Sequence, residues 1–275
     1  MRRDVLGLAA LVIIAVTSAA AAPARQDGIA VTFLANEGVL LAGDTPAGRR
    51  QVLIDALFEP YDDYAVPADS TQSALRQAHP PFAGADLILV THRHGDHFHP
   101  APVARHLGEN SRAVLLTSDQ VIDSLRGRIA PELLTSPRII RRTTPPGTRR
   151  RMLVNGLPVE LLGLPHGGRR HRQVEHLGFV VELGGRRVLH VGDAELSEAT
   201  LAPFRLDTAR IDIALLPYWA ASDEATRNVI ARWVRPGRIA AFHISDRDTA
   251  RVRKSLRSAA PEAHVFARSL ETVTW

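Results

Sequence analysis

The chain of 275 residues contains no cysteine. That excludes disulfides, thiolate nucleophiles and metal sites built on sulfur. Lysine is nearly absent as well: Lys254 is the only one among 34 basic residues, and the rest are arginines. They are scattered, the net charge is a modest +5, and no nucleic-acid motif accompanies them. Nucleic acid is therefore not an expected partner. The longest strongly apolar stretch, 5–16, falls short of the roughly 20 residues that a membrane helix needs. No stable membrane anchor is expected.

What is present is the material of a folded domain. Apolar residues make up 45% of the chain and charged residues 23%, so a sizeable core can form. Arg2 and Arg3, the apolar run Val5–Val16 and the small residues Ser18 to Ala24 follow one another in the order of an export signal. They predict cleavage near residue 22 and a periplasmic or secreted product. No linker divides the remainder, so one domain is expected over 28–275.

Apolar runs and turn residues predict strands at 29–35, 39–42, 51–56, 87–91, 113–117, 138–142, 151–154, 159–164, 178–183, 187–191, 211–216 and 238–243. A last short strand is expected at 263–267. Helices are expected at 100–107, at 118–126 with Ser118 as N-cap, at 222–234 and at 248–258. Residues 61–81 read as a long loop or short helix. Strands and helices alternate in two halves, each with antiparallel pairs. The fold class is α/β (α+β): two mixed β-sheets packed together with helices outside.

One stretch carries chemistry. Ile88–Pro100, "ILVTHRHGDHFHP", holds four histidines and Asp96 directly after a buried-type strand. On extended backbone His92 and His94 fall on one side, and a turn brings Asp96 and His97 around. Imidazole and carboxylate are good ligands for zinc and similar divalent ions. Four such groups packed so closely suit two ions better than one tetrahedral site. Further ligand types stand at strand ends far along the chain: His166, Asp193 in "HVGDA" and His243 in "AFHIS".

With these motifs in this order, the chain resembles the metallo-β-lactamase-fold hydrolases from about Ile29 to its C-terminus. The resemblance implies a four-layer αβ/βα sandwich with metals at one edge. It implies one ion on His92, His94 and His166, a second on Asp96, His97 and His243, and Asp193 bridging them. Zinc is the expected ion, with manganese or iron as alternatives. Asp55, at the end of an early strand, would orient the site by hydrogen bonds; the plainer reading is an aspartate capping a turn.

Two such ions can share a hydroxide formed at neutral pH, with Asp96 orienting it or passing a proton. The expected activity is hydrolysis of an ester, lactone or phosphoester bond in a small molecule. True β-lactamases of this family use a cysteine ligand or lack the bridging aspartate. The chain departs from both patterns and is closer to the lactonase- and phosphodiesterase-like branch. The alternatives are a β-lactamase and a noncatalytic metal- or ligand-binding protein on the same fold.

Other residues near the motif have weaker claims. Arg169, Arg170 and Arg172 would suit an anionic substrate by forked hydrogen bonds, or simply form a solvated loop. Tyr218 and Trp219 would wall a pocket or merely pack. His171 and His176 are candidates for the mouth of the site. His99 and His106 are expected at the surface or against Pro100, and His190 is expected to be buried and hydrogen-bonded. The pattern sets no oligomeric state.

Overall fold

Strand Ala85–Leu89 is apolar on both faces from Leu87 onward, because both faces are covered; Asp86 near its start is buried against Arg50 and Arg112. Leu87 and Leu89 join the core between two sheets. Ile88 and Val90 join a second core with Leu75, Val103 and Leu107, which come from helices on the outside. Period-2 geometry sends alternate residues to opposite layers, so a strand buried on both faces reads as a continuous apolar run. Strand Ile213–Pro217 does the same in the other half: Ile213 and Leu215 face the central core, Ala214 and Leu216 the outer one.

The structure, a computed structural model, describes residues 28–275 apart from 63 and 65. The expected export segment at 1–22 lies outside the described residues. In chain order the strands are β1 (Ile29–Ala35), β2 (Gly38–Thr45), β3 (Gly48–Ile54), β4 (Ala85–Leu89), β5 (Val114–Thr117) and β6 (Ile139–Arg141). Then follow β7 (Arg149–Val154), β8 (Leu157–Gly163), β9 (Leu177–Leu183), β10 (Arg186–His190), β11 (Ile213–Pro217), β12 (Arg238–Phe242), β13 (His264–Val265) and β14 (Thr272–Thr274).

Among these residues the first sheet has the order β14-β1-β2-β3-β4-β5-β6, and the second β13-β12-β11-β10-β9-β8-β7. Each is antiparallel in one half and parallel in the other. The antiparallel halves use tight turns. Gly184 and Gly185, both at positive φ, close the β9–β10 hairpin as their sequence predicts.

Helices 69–76, 100–109 and 119–124 cover the first sheet, and 198–201, 218–222, 224–233 and 249–259 the second. This is the expected αβ/βα sandwich. Three details differ from expectation. The strand at 264–265 is not the last: Thr272–Thr274 returns to pair antiparallel with β1. The helix expected at 222–234 runs over 224–233, where Asp223 accepts the Thr226 N–H at 2.8 Å and caps it, and a separate short helix, 218–222, precedes it. Ser118 stands at the N-cap of 119–124, but its hydroxyl makes no capping bond.

Candidate metal centre

The parallel strands of both sheets end at one edge, where Asp55 follows β3, His92 follows β4, and Asp193 and His243 follow β10 and β12. Loop 165–167 is drawn to Asp193 by backbone bonds. Gly167 N–H donates to the Asp193 carbonyl at 2.7 Å, and Glu195 N–H to that of Pro165 at 2.9 Å. Residues far apart in sequence thereby meet in two groups that share one member. His92, His94, His166 and Asp193 form the first; Asp96, His97, Asp193 and His243 form the second. Within each group, ligand atoms lie within 4.8 Å of one another.

The imidazoles of His97, His92 and His166 are each aimed by a bond on the nitrogen that faces away from the group. Asp55, fully buried, accepts the Thr91 N–H at 2.8 Å, the Thr91 hydroxyl at 2.6 Å and His97 Nδ1–H at 2.9 Å. A carboxylate only accepts, so the His97 proton sits on Nδ1 and Nε2 turns inward. The Thr91 hydroxyl, having given its proton to Asp55, accepts from His92 Nδ1 at 3.0 Å and leaves His92 Nε2 free. His166 Nδ1–H donates to the Gly167 carbonyl at 2.6 Å. Fixing the tautomer from behind in this way is what a metal-ligating histidine requires.

The inward atoms fit a divalent cation. His94 Nδ1 lies 3.0 Å from His92 Nε2 and 3.1 Å from His166 Nε2. Asp193 Oδ2 lies 3.6 Å from His166 Nε2. In the second group His243 Nε2 is 3.4 Å from Asp96 Oδ2 and 3.2 Å from Asp193 Oδ1. His97 Nε2 is 3.6 Å and 3.5 Å from the same two oxygens. A tetrahedron of zinc bonds of about 2.0–2.1 Å has edges of roughly 3.3 Å. Furthermore, His97 Nε2, His243 Nε2 and Asp193 Oδ1 are buried without a hydrogen-bond partner. Orphaned donor atoms converging at that spacing are what a cation would satisfy.

The two groups differ in charge. Burial and the surrounding imidazoles hold His92 well below its usual range and bring His94 down to about 4. Burial also lowers His166. In the second group burial pulls the same way, but the Asp193 and Asp55 carboxylates hold His97 well above its ordinary value. Asp193 and Asp96 likewise raise His243 to about 9 against burial. Burial opposes ionisation of Asp193 and Asp96, but the same two imidazoles hold both below the usual carboxylate range.

This arrangement has relatives. Residues 50–264 match the model of the Beta-lactamase superfamily domain. The chain belongs to the metallo-β-lactamase superfamily. It is 30% identical over 164 residues to a UPF0173 metal-dependent hydrolase of Symbiobacterium thermophilum, a match covering 57% of this chain and 64% of that relative. The chain thus spans under two thirds of the curated relative's length. Igni18, a metallo hydrolase of Ignicoccus hospitalis, superposes with a TM-score of 0.57 at 16% identity, over 90% of this chain and 98% of its own. The metallo-β-lactamase fold protein YhfI of Bacillus subtilis gives 0.57 at 13%, over 91% and 100%. The diiron β-hydroxylase CmlA of Streptomyces venezuelae gives 0.53 at 14%, over 92% and 55%. At these identities the solved structures share the fold alone.

Within this superfamily fold the remaining candidates separate clearly. His171 packs its ring 4.7 Å from His94 and 4.6 Å from His166, over the first group. Arg170 Nε–H donates to His171 Nε2 at 2.8 Å, while Arg169 and Arg172 are exposed. His176 is buried beneath, not at the mouth. His190 is buried as expected: its Nε2–H donates to the Glu37 carbonyl at 3.1 Å and its Nδ1 accepts the Gly192 N–H. His99 caps helix 100–109, accepting the Ala101 N–H. His106 is not at the surface; it is fully buried, its Nδ1–H donating to the Leu75 carbonyl.

A third grouping, Glu37, Asp55 and His190, also lies within 4.8 Å. Its Asp55 and His190 atoms are already spent on the bonds just described. Burial, with Asp193 adding to it, raises Glu37 well above the carboxylate range against the pull of His97. With the Asp55 and His190 atoms engaged, this grouping leaves a cation only the Glu37 carboxyl.

Two positions escaped sequence reasoning. Asn36 Nδ2–H donates to the Asp96 carbonyl at 2.8 Å, and the Asn36 carbonyl accepts the His243 N–H at 2.9 Å. Thr91 links Asp55 to His92. Asn36, Asp55 and His243 all have positive φ, at 51°, 46° and 61°. Such backbone is costly for non-glycine residues and gathers at functional sites. Thr91 stood inside the quoted motif; Asn36 read only as turn composition.

Proposed function

We propose that the protein is a binuclear metal-dependent hydrolase of ester, lactone or phosphoester bonds in small molecules. The observation that carries this reading is the placement of Asp193. Its Oδ2 faces His166 of the first group, and its Oδ1 faces His97 and His243 of the second. One carboxylate is thereby offered to two cation positions. His92, His94 and His166 would hold one ion and Asp96, His97 and His243 the other. Zinc suits this nitrogen and oxygen set, which manganese or iron would also accept. Two divalent ions held there would supply a nucleophilic hydroxide at neutral pH and Lewis acidity toward the scissile group.

The chain's own residues do the rest. Asp96 is tethered by Asn36, which donates to its carbonyl and, at 3.4 Å, to Oδ2. Held in this way, and kept ionised, its carboxylate can accept a proton from the attacking water and return it to the leaving group. Asp55 and Thr91 keep His97 and His92 in one tautomer. The sulfur-free donor set, with Asp193 present, favours this reading over a β-lactamase. The expected export signal would place the reaction in the periplasm or outside the cell.

The test is elemental analysis together with turnover. Protein purified without chelator is expected to carry close to two equivalents of metal. It should hydrolyse members of a panel of lactones, esters and phosphodiesters, and lose that activity on chelation. Two bound ions with no turnover on any of them would leave a metal-binding protein instead; turnover confined to nitrocefin would leave a β-lactamase.

A further inference from the structure

The chain has three tyrosines, and all three stand at one lip of the metal centre. Tyr61 packs on the metal loop itself: a Cβ on Gly95 would lie 2.7 Å from the Tyr61 ring, so a larger residue there would push the ring aside. Tyr64 meets the His243 ring edge-on at 4.8 Å and 88°. Trp219 meets the same imidazole at 4.7 Å and 68°, and Tyr218 braces Trp219 at 5.4 Å. The lip is built from both halves of the fold, Tyr61 and Tyr64 after β3, Tyr218 and Trp219 after β11.

Exposure makes this lip unusual. Among the described residues the exposed large apolar side chains are Tyr61, Leu153, Trp219 and Leu270. The two aromatic ones, 47% and 39% exposed, both belong to the lip. An aromatic face left in water beside a polar centre is a recognition surface rather than core. The opposite side, by His94 and His166, carries His171 and exposed arginines and has no such wall.

We propose that Tyr64 and Trp219 set substrate specificity by stacking an aromatic or similarly flat apolar group of the substrate on the His243 side. The scissile bond would then lie over the two donor groups. This rests on the hydrolase reading for its meaning, but its test does not depend on turnover. Phenylphosphonate and methylphosphonate carry the same anion, so the metal centre and the arginines meet the same charge in both; only the ring differs. Calorimetric titration of the zinc-loaded full chain gives their Kd values.

The wild-type protein is expected to bind phenylphosphonate about tenfold tighter, the scale of one aromatic contact with its burial. Trp219→Ala and Tyr64→Ala should each remove most of that preference, weakening phenylphosphonate several-fold more than methylphosphonate. Trp219→Phe and Tyr64→Phe should keep it. Trp219 is partly exposed, so its truncation leaves the core intact. Equal affinities in the wild type, a preference that survives both alanine variants, or no binding of either probe at millimolar concentration would each overturn the proposal. A protein that shows the preference but hydrolyses nothing would instead sink the hydrolase reading and leave the aromatic lip standing.

Discussion

His92, His94 and His166 bring three imidazoles with depressed proton affinity to the first donor group. Asp96, His97 and His243 bring a carboxylate and two imidazoles with raised proton affinity to the second. Asp193 serves both. The contrast comes from what surrounds each ring. Imidazoles crowd one another in the first group, whereas carboxylates face them in the second. An ion entering the first meets free lone pairs; an ion entering the second must displace protons.

The largest effect should follow from removing the shared residue. Asp193→Ala deletes an oxygen from each group and leaves the charge of both ions less compensated. We expect metal content to fall from two equivalents to below one and turnover to drop by about three orders of magnitude or more. His97→Ala should empty only the second position and leave about one equivalent. Elemental analysis of both variants, after circular dichroism has shown them folded, checks this. A folded Asp193→Ala protein that keeps two ions would break the shared-ligand assignment.

Acidity sharpens the same comparison. The Asp193 and Asp96 carboxylates push metal-free His243 up to about 9, so it carries a proton at neutral pH, and His97 is raised in the same direction. Metal binding there releases such protons, and affinity falls as pH drops below about 9, by up to ~10-fold per unit for each proton displaced. His94, at about 4, has no proton to lose in that range, and burial lowers His92 and His166 in the same direction. The first affinity should therefore stay nearly flat between pH 6 and 8. Zinc competition titrations at pH 6, 7 and 8 measure both steps. Parallel slopes would erase the distinction.

Asp55 tests how far the two groups are built as one. It holds His97 directly and His92 through Thr91. Asp55→Asn should weaken both positions by about 10–100-fold, the usual cost of losing a residue that orients a ligand. Thr91→Val should weaken mainly the first. If Asp55→Asn spares the first position, the relay through the Thr91 hydroxyl has no functional weight.

The ease with which these groups could be read from sequence varied for physical reasons. The ligand types stood in one motif and at strand ends, where apolar runs stop and a polar residue is conspicuous. β4 from Leu87 onward and β11 were legible because burial on both faces leaves an apolar run without alternation. β14 was not: Thr272–Thr274 is short and partly polar, and forms only because the chain end meets the open edge of β1. His106 read as a surface residue because a lone buried histidine depends on a carbonyl from another helix. Asn36 and Tyr64 were silent for the same reason. Their partners, Asp96 and His243, lie 60 and 179 positions away, and no local pattern announces them.

The smallest effect on metal is expected at His190, and it is informative for that reason. His190 closes β10 three residues before Asp193 and packs against Phe242. Its two ring nitrogens are engaged by the Glu37 carbonyl and the Gly192 N–H, so neither reaches an inward donor group. His190→Ala leaves those two backbone groups buried without a partner, which costs about 1–3 kcal/mol each. It also opens a cavity beside Phe242. The variant should melt several degrees lower yet keep close to two equivalents of metal at saturating zinc. Gly192 is the point of risk. At φ 55° it lets Thr91 and His176 approach to where a Cβ would lie 2.8 Å from each, and it sets the backbone from which Asp193 projects. Should His190→Ala lose one ion specifically, the bond to the Gly192 N–H would be what holds Asp193 between the two groups. His190 would then belong to the machinery of the centre rather than to the packing behind it.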